Sequence, residues 1–451
     1  MFKVGDLLKA TKGKATAFNN AIVESISIDS RKILPTQVFL AIKGENFDGH
    51  DFVDEVINKG AKVIIVHKNI KIKNKGVCCI RVKDTVKALG DIARAHRDKF
   101  DIPVIAVTGS NGKTTTKEMI ASVLRAGGKI LKNPGTKNNH IGLPQALLEL
   151  DNTHDFAVLE LGTNHFGEID YLVKICKPDI SVVTNIAASH LEYFKDLKGV
   201  LSEKYALIDN MNRMGLAILN SDDELLSKKL SSKAKFPFKL GFGIKNKAEF
   251  RVSGIKTKGL ITEFAVNKKY KFALNTPGQY NIYNALCAIA CGRIFGLEYN
   301  EIAKRLSEFV FPKGRLNLLE IDRIKFIDDT YNSNPYSFLL ALEVLDSFDA
   351  QGRKICVMGD MMELGRKRHL FHTEALTAAL GICNVLITVG GLTKAAAEAL
   401  KNSGVDTGKI FICSTSQEAK RILFGSISPK ENDIVLVKGS RMMRMEEVFK
   451  V

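Results

Sequence analysis

A chain of 451 residues, 45% of them hydrophobic, is long enough for two to four domains with sizeable cores. It holds no run of about eighteen apolar residues, which excludes a membrane-spanning helix, and Met1–Asp6 has no apolar signal core, so a cytoplasmic protein is expected. The formal charge of +17 favours anionic partners, yet the lysines are spread along the whole length without interleaved aromatics, so small anionic substrates are expected rather than nucleic acid.

Eight cysteines include no C-x-x-C pair, so buried reduced thiols are expected and a zinc site is not. Strand-like and helix-like stretches alternate throughout, which predicts an α/β fold with mainly parallel sheets. Residues 1–97 form a first, small α/β unit. Within it Asp29-Ser30-Arg31 and Gly44–His50 are polar turns between short apolar strands such as Val63–Val66. They suit either a polar ligand or plain turn chemistry. Phe100–Pro103 reads as a linker.

A central unit, 98–312, begins with the strand Val104–Val107, the loop Thr108–Gly112 and a helix from Thr114. Loop N–H groups and a helix N-terminus facing one point suit a phosphate. Lys113 adds a positive charge, and Thr114 a hydroxyl at the position of a phosphate-bound Mg²⁺. The loop is a short G-x-x-G-K-T form; Val107 stands where the longer P-loop has its first glycine. Further on, Phe156–Leu161 carries Glu160 near its carboxyl end, and Ile180–Thr184 is followed by Asn185 and His190. Ligands of open α/β sheets bind at such strand ends. From the residues alone, Glu160 is a Mg²⁺ ligand or a carboxylate paired with lysine, His190 is structural or a ligand, and Lys204 is an ordinary helix lysine. Residues 221–275 read as short antiparallel edge strands. Pro277–Ala285 leads into a helix, Leu286–Phe295, and capping accounts for one of Asn281 and Asn284 but not both.

The third unit, 313–451, repeats a doubly wound pattern, with strands at Ile324–Ile327, Lys354–Met358, Val385–Val389, Lys409–Cys413 and Ile434–Val437. Asp328–Pro335, Gly359–Gly365 and Lys438–Arg441 lie at strand ends and mark a ligand edge.

The set T-G-S-N-G-K-T-T-T-K-E-M at 108–119, N-N-x-x-G-L-P at 138–144, E-L-G-T-N-H-x-G-E-I at 160–169, N-I-A-x-x-H-L-E at 185–192, D-D-T-Y-N-S-N-P at 328–335 and G-D-M-x-E-L-G at 359–365 resembles the Mur ligases, in the family's order and over nearly the whole chain. These are ATP-dependent amide-forming enzymes of peptidoglycan precursor synthesis. The resemblance is to the branch that joins D-alanyl-D-alanine to UDP-N-acetylmuramoyl-tripeptide through an acyl phosphate, releasing ADP and phosphate.

That resemblance implies three domains: one for the UDP end, a central P-loop ATPase, and a Rossmann-like C-terminal domain for the incoming amine. It implies ATP at Gly109, Ser110, Asn111, Gly112, Lys113, Thr114 and Thr115, with Asn281 near the adenine and Arg315 and Asp329 contributing. Two Mg²⁺ ions would be held by Thr114 and Glu160, and by His190 and a carbamylated Lys204; Lys113, Glu160, His190 and Lys204 would be the catalytic set. Ser30, Arg31, Gly44, Asp48, Gly49 and His50 would face the uridine nucleotide. Asn139 is a further substrate candidate, and Tyr331, Asn332 and Asn334 are candidates for the dipeptide. A monomer is expected.

Two positions depart from the family pattern. Gln37 stands where Gly-Asp usually precedes Phe39, and Leu376 replaces a glycine four residues after the match to His372. Rival readings are the family's diamino-acid-adding ligase, whose D-N-P-R motif is missing, and a basic P-loop ATPase that binds nucleic acid.

Overall fold

The computed structural model describes residues 1–16, 22–232, 237–348 and 351–450. Residues 233–236 of the lysine-rich stretch lie outside them. The chain folds into two compact units. One comprises Met1–Ile105, Lys129–Gly162 and Asp170–Pro178; the other comprises Ala106–Gly128, Thr163–Ile169 and Asp179–Val451.

In the first unit a five-stranded sheet runs in the order Lys14–Ala15, Cys78–Arg81, Val63–Val66, Gln37–Leu40, Ser25–Ser27. Its last four strands are parallel and the first is antiparallel. Val63–Val66 is apolar throughout because both of its faces are covered. Val63 and Ile65 enter one core and Ile64 and Val66 the other, and each such side chain contributes about 1.5–3 kcal/mol on burial. Helix Thr85–Arg97 covers the first of these faces with Ala88, Leu89 and Ile92. Asp84 starts it by accepting from the N–H groups of Val86 and Lys87 at 2.7 and 3.0 Å. Gln37, at one of the two atypical positions, stitches its strand to its neighbours: its amide accepts from Leu34 N–H at 3.0 Å and donates to Ser25 Oγ at 2.9 Å. The same unit holds the parallel pair Ile130–Lys132 and Phe156–Glu160.

The strand Val104–Thr108 passes from the first unit into the second between Ile105 and Ala106. In the second unit Thr184 N–H donates to its last carbonyl, that of Thr108, at 3.0 Å. From Ile180–Val183 a parallel series continues through Leu216–Asn220, Phe238–Gly243 and Phe250–Lys258. Two antiparallel strands, Ile261–Val266 and Tyr270–Leu274, end it. The edge expected at 221–275 is therefore antiparallel only in its last part, and a helix, Glu224–Leu230, precedes it. Near the C-terminus a six-stranded sheet has the order Asn317–Ile321, Ile324–Asp329, Ile434–Lys438, Lys354–Gly359, Val385–Val389, Ile410–Cys413. All its pairings are parallel except the first. Leu376, the other atypical residue, is fully buried in the core on one face of this sheet.

All eight cysteines are buried and free. No helix among the described residues is long and apolar enough to cross a membrane.

Candidate active site

The loop after Val104–Thr108 is shaped by two glycines. Gly109 has φ +148°, and a Cβ there would lie 1.9 Å from Thr184 Oγ1. Gly112 has φ +79° and opens the helix Lys113–Leu124, and a Cβ on it would lie 2.4 Å from Asn284 Oδ1. No side chain caps this helix. Its first internal bond, Thr116 N–H to Gly112 C=O at 2.8 Å, leaves the N–H groups ahead of it directed out of the helix end. That is a ready site for an anion.

Struts from the segment after Ile180–Val183 hold the loop. Ser110 N–H donates to Asn185 C=O at 2.9 Å, and Asn111 N–H to Asn185 Oδ1 at 3.0 Å. Ser110 Oγ accepts from Ala187 N–H at 2.9 Å and from the Ser189 hydroxyl at 3.1 Å. Lys113 Nζ lies over the loop, donating to the carbonyls of Gly109 at 2.9 Å and Ser110 at 3.3 Å. The Arg315 guanidinium donates to Thr114 Oγ1 at 3.1 Å and rests 4.0 Å from the ring centre of Tyr331. Asn334 caps the helix Pro335–Ser347 and donates from Nδ2 to Asn111 Oδ1 at 2.7 Å. Asn281 is buried, and its amide is engaged within the chain. It donates to Thr276 Oγ1 at 3.2 Å and accepts from Asn284 at 3.0 Å, and Asn284 accepts from Thr116 Oγ1 at 3.0 Å. The helix runs Tyr280–Ile294, earlier than the expected Leu286 start, with Gln279 at its N-cap position and no side-chain cap, so this network rather than capping explains both asparagines.

His190 and Lys204 belong to the same unit. His190 Nδ1 lies 2.5 Å from Glu363 Oε2. Burial lowers the pKa of His190, the contact with Glu363 opposes this, and Lys204 and Lys113 act with burial. Lys204, on the helix Leu197–Asp209, is 1% exposed. Burial first, then the nearby Lys113 charge, pushes its amine far below the usual lysine value, with Glu203 opposing. Glu203 itself ties down a loop, accepting from the N–H groups of Gly167 at 2.7 Å and Ile169 at 2.8 Å and from the Thr163 hydroxyl at 3.1 Å.

In the other unit Glu160 is 1% exposed. Its Oε1 accepts from Asn138 Nδ2 at 2.6 Å, while Oε2 is buried with no hydrogen-bond partner. Asn133 clamps its backbone, with Oδ1 accepting from Glu160 N–H at 2.8 Å and Nδ2 donating to Glu160 C=O at 3.0 Å. A buried carboxylate oxygen left unpaired costs free energy and is the donor a hard cation takes. Asn139, the sequence candidate, is instead engaged with the backbone ahead of the helix Gly142–Leu147, its Oδ1 accepting from the N–H groups of Ile141 at 3.2 Å and Gly142 at 2.9 Å. Asn138 is the neighbour that sequence reasoning passed over.

The first unit also holds the nucleotide candidates. Arg31 forms a two-point pair with Asp29 at 2.8 and 2.9 Å, and this pair, chiefly its side-chain hydrogen bond, lowers the Asp29 carboxyl to about 2. Ser30 C=O accepts from Lys59 Nζ at 3.0 Å. Gly44 N–H donates to Phe47 C=O and Gly49 N–H to Ile42 C=O, both at 2.8 Å, closing the loop. Burial alone would raise the Asp48 carboxyl. Lys68 at 2.7 Å and His50 at 2.6 Å instead hold it well below the carboxylate range.

At the third strand-end cluster Asp329 is buried and bonded to Lys438 Nζ at 2.5 Å, and Lys438 also donates to Asn332 C=O at 2.9 Å. The apolar run Ile434–Val437 gave no hint that the lysine ending it is buried. Among the described residues no three His, Cys, Asp or Glu side chains converge as a metal-binding group. Beside Glu160 or His190, any magnesium would therefore draw on hydroxyl, phosphate or modified-lysine oxygens as well.

Comparisons with known proteins agree with this arrangement. Residues 22–97 match the Mur ligase family, catalytic domain; residues 107–292 match the Mur ligase middle domain; residues 314–441 match the Mur ligase, glutamate ligase domain. The UDP-N-acetylmuramoyl-tripeptide–D-alanyl-D-alanine ligase of Bacillus subtilis is 33% identical over 99% of this chain and 96% of its own length. The Escherichia coli ligase of the same name is 34% identical over 95% and 93%. A crystal structure of MurF from Acinetobacter baumannii superposes with a TM-score of 0.90 at 32% identity, covering 99% of this chain and 97% of that one. MurF from Thermotoga maritima, solved in complex with ADP, superposes with a TM-score of 0.85 at 27% identity, covering 96% and 97%. With its three-domain architecture, this chain belongs to the Mur ligase family and is an ATP-dependent ligase of peptidoglycan precursor synthesis.

Proposed function

We propose that the chain joins D-alanyl-D-alanine to UDP-N-acetylmuramoyl-tripeptide through an acyl-phosphate intermediate. The observation that carries this reading is similarity along nearly the whole length to ligases of that name. In this reading residues 1–97 bind the UDP end, 98–312 bind ATP and 313–451 bind the dipeptide. Lys113 and the uncapped helix end hold the β- and γ-phosphates. The tripeptide's terminal carboxylate attacks the γ-phosphorus and ADP leaves. The dipeptide amine then attacks the acyl carbon, loses a proton and expels phosphate through a tetrahedral intermediate. Tyr331 and Asn332 are the proposed dipeptide contacts.

Magnesium, when bound, would offset the repulsion between the ATP phosphates and the substrate carboxylate. The residues present fit it. Glu160 offers an unpartnered buried oxygen to one ion, and Thr114, in the other unit, offers a hydroxyl. His190 and Lys204 would hold a second. Burial favours the neutral lysine, whose lone pair carbon dioxide needs, and the resulting carbamate would be the anionic ligand.

The test is phosphate release with ATP and Mg²⁺, omitting the UDP-muramoyl tripeptide and D-alanyl-D-alanine in turn. Release that needs both, with a pentapeptide product by mass, supports the reading. Activity only with the UDP-muramoyl dipeptide and a diamino acid would reassign the chain to the preceding ligase.

A further inference from the structure

We propose that Glu363 positions the imidazole of His190 for metal binding. The proposal rests on the reading of His190 as a ligand of the second magnesium. Glu363 lies after the strand Lys354–Gly359, in the G-D-M-x-E-L-G segment to which the ATP and substrate assignments give no role.

The contact is built, not incidental. His190 Nδ1 and Glu363 Oε2 are 2.5 Å apart. The backbones are joined as well, with Glu192 N–H donating to Glu363 C=O at 3.1 Å. His190 at φ +52° and Glu363 at φ +62° both adopt the left-handed backbone conformation that L side chains rarely take. Two such residues facing each other are held by their surroundings, and strain of this kind collects at functional sites.

The chemical consequence follows from the tautomer. A carboxylate at Nδ1 keeps the proton on that nitrogen, which leaves the lone pair on Nε2. Histidines that ligate metals commonly donate their other ring N–H to a carboxylate in this way. Glu363 is therefore a positioning residue. Because Glu363 follows a strand of the C-terminal sheet, the C-terminal segment helps set the orientation of an imidazole that follows the strand Ile180–Val183.

The experiment compares the full-length wild type with Glu363→Ala, Glu363→Gln and His190→Ala. One readout is the long-range ¹H–¹⁵N spectrum of ¹⁵N-histidine protein without metal, with His190 assigned by its loss in His190→Ala. The other is Mn²⁺ affinity, by electron paramagnetic resonance in the presence of ADP. The wild type is expected to show the Nδ1–H form. Glu363→Ala should lose it and bind Mn²⁺ about ten- to a hundred-fold more weakly, with ADP affinity unchanged. Glu363→Gln keeps an acceptor at the same place and should restore the tautomer and part of the affinity, which separates positioning from misfolding. An unchanged tautomer and Mn²⁺ affinity in Glu363→Ala would overturn the proposal alone, provided His190→Ala weakens Mn²⁺. If His190→Ala leaves Mn²⁺ affinity unchanged, the assignment of His190 as a ligand falls, and the proposal with it.

Discussion

Lys438 and Asp329 are direct partners on neighbouring parallel strands, paired in register, with Nζ 2.5 Å from Oδ2 and both residues at most 7% exposed. Lys438→Met would leave the Asp329 carboxylate buried without its cation. Breaking one side of such a pair costs about 3–5 kcal/mol, so the urea midpoint should fall markedly. The double variant Lys438→Met/Asp329→Leu removes both charges and should recover much of the loss. Additive losses in the double variant would show that the two residues act independently.

Gly109→Ala should disable the phosphate loop. The new methyl would collide with Thr184 Oγ1, at a φ that alanine does not readily adopt. ATP affinity should drop at least about tenfold, equivalent to 1.4 kcal/mol. Adding Thr184→Ala relieves the collision but not the dihedral strain, so it should restore only part. Full restoration would place the whole effect in the collision.

The parts of this molecule that could be read in advance are those where pattern and chemistry coincide. The strand Val104–Thr108, its glycine loop and the following helix announce themselves by an apolar run, Gly109, Gly112 and Lys113 within a few residues. Val63–Val66 and Val385–Val389 likewise match their expected bounds, because strands covered on both faces carry near-continuous apolar runs, broken in the second only by Thr388. The strand Asn317–Ile321 was not legible. Its hairpin turn, Asp322-Arg323, has φ of +50° and +62° at two residues that are not glycine, so the usual turn signal is missing. Side-chain partnerships across long sequence separations were also hidden. No local pattern relates His190 to Glu363 or Asn111 to Asn334, or separates Asn138, which bonds Glu160, from Asn139, which bonds the backbone of Gly142.

The state of Lys204 leads to a prediction about carbon dioxide. Its burial favours the neutral amine, the form that carbamylation needs. Enzyme held in buffer stripped of carbon dioxide at mildly acidic pH should lose activity and regain it on adding bicarbonate. With ¹³C-bicarbonate a carbamate resonance should appear in the wild type and be missing from Lys204→Arg. A resonance that survives in Lys204→Arg would assign it to another amine.

His372 should make the C-terminal segment sensitive to acid. It is fully buried, and both ring nitrogens are committed: Nε2 accepts from Met361 N–H at 2.8 Å, and Nδ1 contacts Arg368 C=O at 2.6 Å. This pattern requires the neutral ring, since a proton on Nε2 would point at the Met361 N–H. Burial accordingly lowers the pKa of His372 below its usual 6.5. In the unfolded chain the ring titrates near that usual value. Its contribution to stability is therefore complete above about pH 6.5 and is lost as pH falls from there toward the lowered folded value. Over that range the loss approaches about 1.4 kcal/mol per pH unit for one extra proton bound by the unfolded chain. His96, buried in the first unit with its pKa also lowered by burial, acts in the same direction. Denaturation followed from pH 8 to 5.5 should show a falling stability. His372→Gln should be less stable at pH 8, where it loses a good hydrogen bond, yet show a shallower decline. An unchanged slope in that variant would remove His372 as a source of the acid sensitivity.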